Sequence, residues 1–364
     1  MENALALARR GLGRVFPNPA VGCLLVREDL SGRIVGRGWT QPGGRPHAET
    51  EAIRRAGDLA RGATAYVTLE PCSHHGKTPP CCDALISAGV GRVVVAIEDP
   101  DARVSGQGLQ RLKDAGIEVI SGIMEKEAHD LNLGFLLSTA EKRPFITWKT
   151  ATTMDGQIAT KSGDSQWITG PLARQHGHLL RAQNDAIMTG IETVLSDKPS
   201  LTCRLPGMED CSPIRIVLDS QLRMPVDAPL VKSAKDTPTW VYTLNTNASD
   251  HRSELEHLGV RVITANGGDG GRISTKWVSS DLSEKGVTRV LLESGGTLAA
   301  SFMKATLIDR IAWFRAPKIV GGDGRSALAS VNIEKLIQSP AFTRRSTCVM
   351  GADTLDILDR TPAA

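Results

Sequence analysis

Residues 70–82 read EPCSHHGKTPPCC, three cysteines and two histidines in thirteen positions. Upstream, HAETEAI begins at His47 and carries Glu49 two residues on. One imidazole and two thiolates are the donors of a zinc site that keeps its fourth position for water, the catalytic rather than the structural arrangement. His47 and Cys72 supply two of them. Cys81 or Cys82 supplies the third, and spacing alone does not choose between these neighbours. Such a metal lowers the pKa of its water and makes hydroxide available near neutral pH. Glu49, in the first turn of a helix, can take the proton from that water and pass it to a leaving amine.

The order H-x-E, then P-C, then a further Cys is the signature of zinc enzymes that deaminate nucleobases. Here eight residues separate Cys72 from Cys81 where the common form has two. The insert SHHGKTPP carries His74, His75 and Lys77. A cationic insert beside the metal points to a small substrate that bears a phosphate. His75 is read as a solvated loop residue.

Composition narrows the alternatives. A length of 364 residues predicts two domains. Forty-three basic and 40 acidic residues leave a net charge of +3 with no basic run, which argues against a nucleic-acid partner. No apolar run approaches the ~18 residues of a membrane span. The start, MENALALARRGLGRVF, reads as an amphipathic helix rather than an export signal. The seven cysteines are therefore expected to stay reduced in a cytoplasmic setting. Their odd number and the four scattered ones argue against a disulfide framework.

The elements that must position these residues alternate. Val21–Val26 and Arg33–Gly38 read as a hairpin, Ala48–Ala60 as a helix and Thr64–Leu69 as a strand. Asp83–Ala88, Leu109–Ala115 and Glu125–Ser138 are helical in pattern, with strands at Arg92–Ile97 and Ile117–Ile120. The order predicts a sheet with helices on its faces. A boundary falls near Glu141–Pro144, giving domains over 1–143 and 144–364. A second α/β alternation follows. Its strands are predicted at Phe145–Ala151, Ala186–Thr189, Ile214–Leu218, Thr239–Thr243, Val260–Thr264, Val287–Leu292 and Ile311–Pro317. Ala265–Arg272 is read as a glycine-rich loop and Gly321–Gly324 as a turn. No G-x-G-x-x-G follows a strand. Polar clusters stand out instead: FITWKTATTMDGQIAT, SGDSQWITG, TGIETVLSDKPSLTCR and ESGGTLAAS. The last follows a strand and opens a helix, so Gly295 and Gly296 allow a ligand close to the backbone, with the helix N-terminus favouring an anion. A plain strand–turn–helix junction would look the same.

FPNPAVGC, HAE, TLEPCSHHGKTPPCCDALI and EDPDARVSGQG resemble the deaminase half of the bifunctional riboflavin-biosynthesis deaminase/reductase family. The four later clusters resemble its reductase half, so the resemblance covers nearly the whole chain, leaving the last dozen residues uninformative. It implies an α/β protein with a cytidine-deaminase-like three-layer domain followed by a dihydrofolate-reductase-like domain. It implies one zinc on His47, Cys72 and Cys81, with Glu49 as proton shuttle and Asn18, His74, Lys77 and Asp99 lining the substrate pocket. For the reductase it implies NADPH. The cofactor side would be Ala151, Trp167, Thr193, Asp197, Ser220 and the turn Gly295, Gly296, Thr297, Leu298, Ala299, Ala300 and Ser301. The substrate side would be Ser165, Arg181, Leu201, Arg204 and Glu293, with both guanidiniums suited to a ribose phosphate.

The implied chemistry is hydrolysis of the 2-amino group of 2,5-diamino-6-ribosylamino-4(3H)-pyrimidinone 5′-phosphate, then reduction of its ribosyl chain to ribityl. Homo-oligomers through the reductase half are implied as well. Four positions depart from the family pattern. Thr40 stands for a histidine, keeping one donor for a substrate phosphate without the charge. Asp101 stands for asparagine, Lys198 for Asp or Asn, and Thr153 for serine. Two rival readings, a nucleic-acid-binding deaminase and a non-catalytic zinc scaffold, lack a basic or aromatic platform and a fourth protein ligand respectively.

Overall fold

The computed structural model describes residues 1–74, 79–99, 106–245 and 249–361. The chain divides into two units, Met1–Arg143 and Pro144–Ala364. The first contains α1 (Glu2–Ala8), β1 (Gly22–Arg27), β2 (Arg33–Trp39), α2 (Ala48–Ala56), β3 (Thr64–Val67), α3 (Cys81–Ser87), β4 (Arg92–Val95), α4 (Gln107–Asp114), β5 (Glu118–Ile120) and α5 (Glu125–Ala140). Among the described residues they form a five-stranded sheet in the order β2-β1-β3-β4-β5. β1 runs antiparallel to both its neighbours, and β3, β4 and β5 are parallel.

Two glycines set the layers of this sheet. Gly22 pairs with Trp39 and Cys23 with Gly38, so Gly22 and Gly38 face opposite sides. A Cβ on Gly22 would lie 1.9 Å from the carbonyl oxygen of Ala4, and one on Gly38 would lie 2.0 Å from that of Ala48. α1 therefore presses on one face and α2 on the other, each closer than any side chain would allow. α2 does so through Ala48, Ala52 and Ala56, spaced four apart, while Arg54 and Arg55 stay outside. Cys23, Leu25, Val67, Leu85, Val93, Val95 and Leu112 fill the core.

The second unit contains β6 (Phe145–Thr152), β7 (Gln157–Ala159), α6 (Pro171–Ala182), β8 (Ala186–Gly190), α7 (Ile191–Asp197), β9 (Ile214–Leu218), α8 (Pro229–Lys232), β10 (Thr239–Thr243), α9 (Ser249–His257) and β11 (Val260–Thr264). It continues through α10 (Thr275–Glu284), β12 (Arg289–Leu292), α11 (Gly296–Lys304), β13 (Arg310–Arg315), β14 (Arg325–Ser326), β15 (Phe342–Met350) and β16 (Asp353–Arg360). Among the described residues one sheet has nine strands in the order β11-β10-β9-β8-β12-β6-β13-β16-β15, parallel as far as β13. β7 and β14 pair separately. Successive residues feed opposite faces: Met188, Val290 and Leu292 enter one core, Ile187 and Leu291 the other. Burial on both sides is what a parallel sheet requires.

The topology creates a crevice. β8 and β12 are neighbours, yet the chain leaves β8 toward β9 and leaves β12 toward β13 on the other side. Ligands of open α/β sheets sit at such a divergence, outside the carboxyl ends of the strands. The last dozen residues, uninformative as sequence, contain β16. Its aspartates hid the strand pattern. Asp353 accepts the Gly170 N–H at 2.6 Å, and Asp356 accepts from Arg315 and Thr347, both at 2.6 Å, so these acids are buried as acceptors. No helix among the described residues is long and apolar enough to cross a membrane.

Candidate active sites

In the first unit, His47 is the residue before α2, Cys72 follows β3 and Cys81 opens α3. Their donor atoms all lie within 4.8 Å of one another. His47 Nδ1 is 3.3 Å from Cys81 Sγ and 3.8 Å from Cys72 Sγ. Separations of this size are what tetrahedral bonds of about 2.0–2.3 Å from one ion to N and S donors require. The charge state fits as well. Hydrogen bonding from the Cys81 thiol, against the pull of burial, holds Cys72 down at about 4, and donating that bond pushes Cys81 up. A divalent cation binds such cysteines as thiolates and displaces their protons. Glu49 lies 3% exposed in the first turn of α2. Burial, with the Cys72 charge adding, pushes it up to about 7.

Cys82 faces away. Its thiol donates to the carbonyls of Pro71 at 3.1 Å and Gly108 at 3.5 Å, and burial pushes it up to about 12. The ambiguity between adjacent cysteines thus has a geometric answer: one turns to His47, the other into the packing of α3 on α4. Asn18 is aimed by its Nδ2, which donates to the Gly44 carbonyl at 2.8 Å. The chain just after it is pinned by Asn132 of α5, which exchanges two hydrogen bonds with the backbone of Ala20. Asp99 is buried and His74 is exposed. Lys77, with His75 and Asp101, lies outside the described residues.

Thr40 requires a correction. Its hydroxyl is buried, accepts the Val21 N–H at 3.0 Å and donates to the Pro19 carbonyl at 3.1 Å. The donor expected for a substrate phosphate is spent on backbone, and Thr40 ties the start of β1 to the end of β2.

In the second unit, Arg181 of α6 and Glu293 beyond β12 form a two-pronged pair, Nε to Oε1 at 2.8 Å and a terminal nitrogen to Oε2 at 3.0 Å. Lys149 of β6 approaches the same carboxylate at 3.6 Å. Burial alone would raise Glu293, but Arg181 and Lys149 outweigh it and hold the carboxyl at about 2. Arg181 also donates to the Thr202 carbonyl at 3.0 Å. His178 Nδ1 lies 3.2 Å from that carbonyl and 3.3 Å from the backbone nitrogen of Arg204. Two cations thus meet one carboxylate, with His178 and the backbone of Arg204 beside them, leaving a positive remainder for an anion. Leu201 is buried with a φ of 52°. Ser165, Trp167 and Asp197 make no hydrogen bond to this cluster. Trp167 is 60% exposed with the Arg174 guanidinium 4.6 Å from its ring centre, and Asp197 accepts from Ser196 at 2.8 Å. Ala151 and Thr193 are half-buried, and Ser220 follows β9 with its carbonyl accepting from Leu244 at 3.1 Å.

Three buried polar atoms lack any partner at the carboxyl ends of three adjacent strands: Thr189 Oγ1 on β8, Asp219 Oδ1 after β9 and Ser294 Oγ after β12. Buried polar atoms are rarely left so. They lie at the strand ends beside the crevice, and a Cβ built on Gly295 meets nothing within 4 Å. The turn Gly295–Ser301 opens α11 there. Unmet polar atoms, open space and a helix N-terminus fit a polar, phosphate-bearing nucleotide cofactor. Lys149, Thr189 and Ser294 lie within the quoted polar clusters, but nothing in the sequence singles them out or points to His178 and Asp219, because only strand order brings them together.

Comparison with known proteins places both units. The cytidine and deoxycytidylate deaminase zinc-binding region matches residues 1–97, and the RibD C-terminal domain matches residues 144–355. The riboflavin biosynthesis protein RibD of Escherichia coli (strain K12) is 41% identical over 374 aligned positions, covering 97% of this chain and 96% of that protein. RibD of Aquifex aeolicus is 39% identical, covering 99% and 97%. The Acinetobacter baumannii RibD structure, form 1, superposes with a TM-score of 0.87 at 38% identity, covering 99% of this chain and 97% of that one. A diaminohydroxyphosphoribosylaminopyrimidine deaminase/5-amino-6-(5-phosphoribosylamino)uracil reductase from Thermotoga maritima gives 0.86 at 34% identity, with the same coverage. With a deaminase zinc region and a reductase domain matched along nearly its full length, the chain belongs to the RibD family of bifunctional riboflavin-biosynthesis deaminase/reductases.

Proposed function

We propose that the first unit hydrolyses the 2-amino group of 2,5-diamino-6-ribosylamino-4(3H)-pyrimidinone 5′-phosphate, and that the second reduces the ribosyl chain of the product with NADPH. The observation that carries the reading is the convergence of His47, Cys72 and Cys81 with buried Glu49 one turn away. Zinc on those three donors supplies Lewis acidity and a hydroxide nucleophile near neutral pH. Glu49 receives the proton of the attacking water and delivers it to the departing amine, so a C–O bond forms, the C–N bond breaks and ammonia leaves. Asn18, held by Gly44, presents an amide to the pyrimidinone edge. Asp99, His74 and Lys77 complete the pocket by the family pattern, the cations toward the phosphate.

NADPH supplies the hydride for C1′ of the ribosyl group. The unpartnered Thr189, Asp219 and Ser294 atoms and the Gly295–Ser301 turn support its seat in the crevice. By the family pattern Ala151, Trp167, Thr193, Asp197 and Ser220 would join them. Glu293 fixes Arg181 through two hydrogen bonds, and Lys149 and Arg204 carry the positive remainder toward the 5′-phosphate, with Leu201 and Ser165 beside the substrate. The chain's part in this second step is orientation. Association through this unit has a physical basis in β15, an edge strand exposed along nearly its whole length.

The test is a coupled assay on zinc-analysed protein, with ammonia and NADPH followed separately. Ammonia release that precedes and is required for NADPH oxidation is expected. Neither signal from zinc-loaded protein would overturn the reading.

A further inference from the structure

One buried carboxylate has no part in this chemistry. Glu70 is 3% exposed and pairs with no Lys, Arg or His among the described residues. A bare carboxylate in a core costs several kcal/mol unless its lone pairs are met. Four backbone N–H groups meet it. Oε1 accepts from Gly108 at 2.8 Å and Leu109 at 3.3 Å, and Oε2 from Asp99 at 3.1 Å and Gly106 at 3.0 Å.

The pattern has two parts. Gly108 and Leu109 are the second and third residues of α4, whose N–H groups a capping side chain normally satisfies. The residue before α4 is Gly106, which has no side chain to do so. Glu70 therefore caps α4 from the end of another strand. Its second oxygen holds the amides of Asp99 and Gly106, which bracket residues 100–105, so those two nitrogens lie no more than about 6 Å apart. Pro71 and Cys72 follow Glu70 directly. A Cβ on Gly108 would stand 2.2 Å from the Pro71 carbonyl, and the Cys82 thiol bridges the carbonyls of Pro71 and Gly108. The metal-ligand turn, the start of α4 and the backbone of Asp99 are thus locked to one side chain.

We propose that Glu70 is a positioning residue of the deaminase. It touches neither substrate nor metal, and it sets the place of Asp99 relative to the turn that carries Cys72. The inference rests on the reading above in which Asp99 lines the substrate pocket.

The experiment uses full-length Glu70→Gln and Glu70→Asp. The glutamine is isosteric but turns one acceptor into a donor facing two N–H groups. The aspartate keeps the charge and loses the reach to serve both pairs. Hydrogen exchange at the amides of Asp99, Gly106, Gly108 and Leu109 is expected to quicken about tenfold or more in Glu70→Gln, the scale of a lost charged hydrogen bond. Zinc content should stay at the wild-type level. The deaminase KM should rise about tenfold, with kcat changing about threefold at most, and less in Glu70→Asp. NADPH oxidation on the deaminated intermediate should be unchanged. Unchanged exchange and KM in both variants would overturn the proposal. Zinc loss would also overturn it, by making Glu70 part of the metal scaffold, as would a fall in kcat at constant KM. Should the wild type fail to deaminate this substrate, the exchange arm still reads the clamp, so the two failures are distinguishable.

Discussion

The two sites declare themselves in opposite ways. In the first unit the donors converge: the donor atoms of His47, Cys72 and Cys81 all lie within 4.8 Å of one another, a spacing that one ion can span. In the second, the crevice lies beside buried polar atoms that lack a hydrogen-bond partner, Thr189 Oγ1, Asp219 Oδ1 and Ser294 Oγ. The contrast follows from what each site holds. A metal ion is small, so its ligands converge on one point, and a short stretch of chain can supply them. A nucleotide cofactor is long, so its partners would spread over several strand ends.

The largest effects should come from breaking the cluster. Cys81→Ser is expected to abolish zinc retention and ammonia release while NADPH oxidation on the deaminated intermediate continues. Cys82→Ser should keep both activities and cost stability alone, since that thiol only bridges two carbonyls. Zinc loss from Cys82→Ser with retention in Cys81→Ser would reverse the assignment. Glu49→Gln should retain zinc and lower the deaminase kcat by about 10²–10⁴, again sparing the reductase. Metal analysis and the two separated assays read all three variants.

Glu293→Ala attacks the other unit. It leaves Arg181 buried without its carboxylate, which costs about 3–5 kcal/mol, and NADPH oxidation should be lost while ammonia release survives. The pH dependence has a definite sign. Glu293 is depressed from 4.5 to about 2, so its pairing stabilises the fold fully above the unfolded value and is lost as pH falls toward 2. Between pH 6 and 8 this pair contributes fully, so it should add no pH dependence to the thermal midpoint. An acid decline below about pH 4.5 should flatten in Glu293→Gln.

The same contrast explains what the sequence disclosed. His47, Glu49, Cys72 and Cys81 lie within 35 residues at the ends of predicted elements, so their meeting was legible before any fold. Thr189, Asp219 and Ser294 span 106 positions and meet only because β9, β8 and β12 are neighbours, an order no local pattern encodes. Glu70 was visible in EPC, yet its partners lie 29 to 39 residues downstream. β16 was missed because its acids serve as buried acceptors, which reverses the usual sense of a polar residue in a strand.

Thr189→Val sharpens the comparison from the crevice side. Removing a partnered hydroxyl costs stability, whereas removing an unpartnered buried one is neutral or favourable. The thermal midpoint should therefore hold or rise, while KM for NADPH rises about fivefold, a single hydrogen bond's worth. A fall in the midpoint with unchanged KM would mean that the hydroxyl serves the fold and not the cofactor.

Thr40→Val supplies the converse case and the smallest catalytic effect. The substitution keeps shape and removes a hydroxyl that is fully engaged, leaving the Val21 N–H and the Pro19 carbonyl without their partner. The Thr40 N–H still donates to the Val21 carbonyl at 2.9 Å, so the strand ends stay paired. A stability loss of about 2 kcal/mol is expected, read as a lower denaturation midpoint, with the deaminase KM changing about twofold or less. Had the hydroxyl served a substrate phosphate, the order would invert: KM would rise several-fold and the midpoint would stay. The pair of valine variants thus separates a hydroxyl that holds the protein together from one that waits for a ligand, by the sign of the stability change rather than by its size.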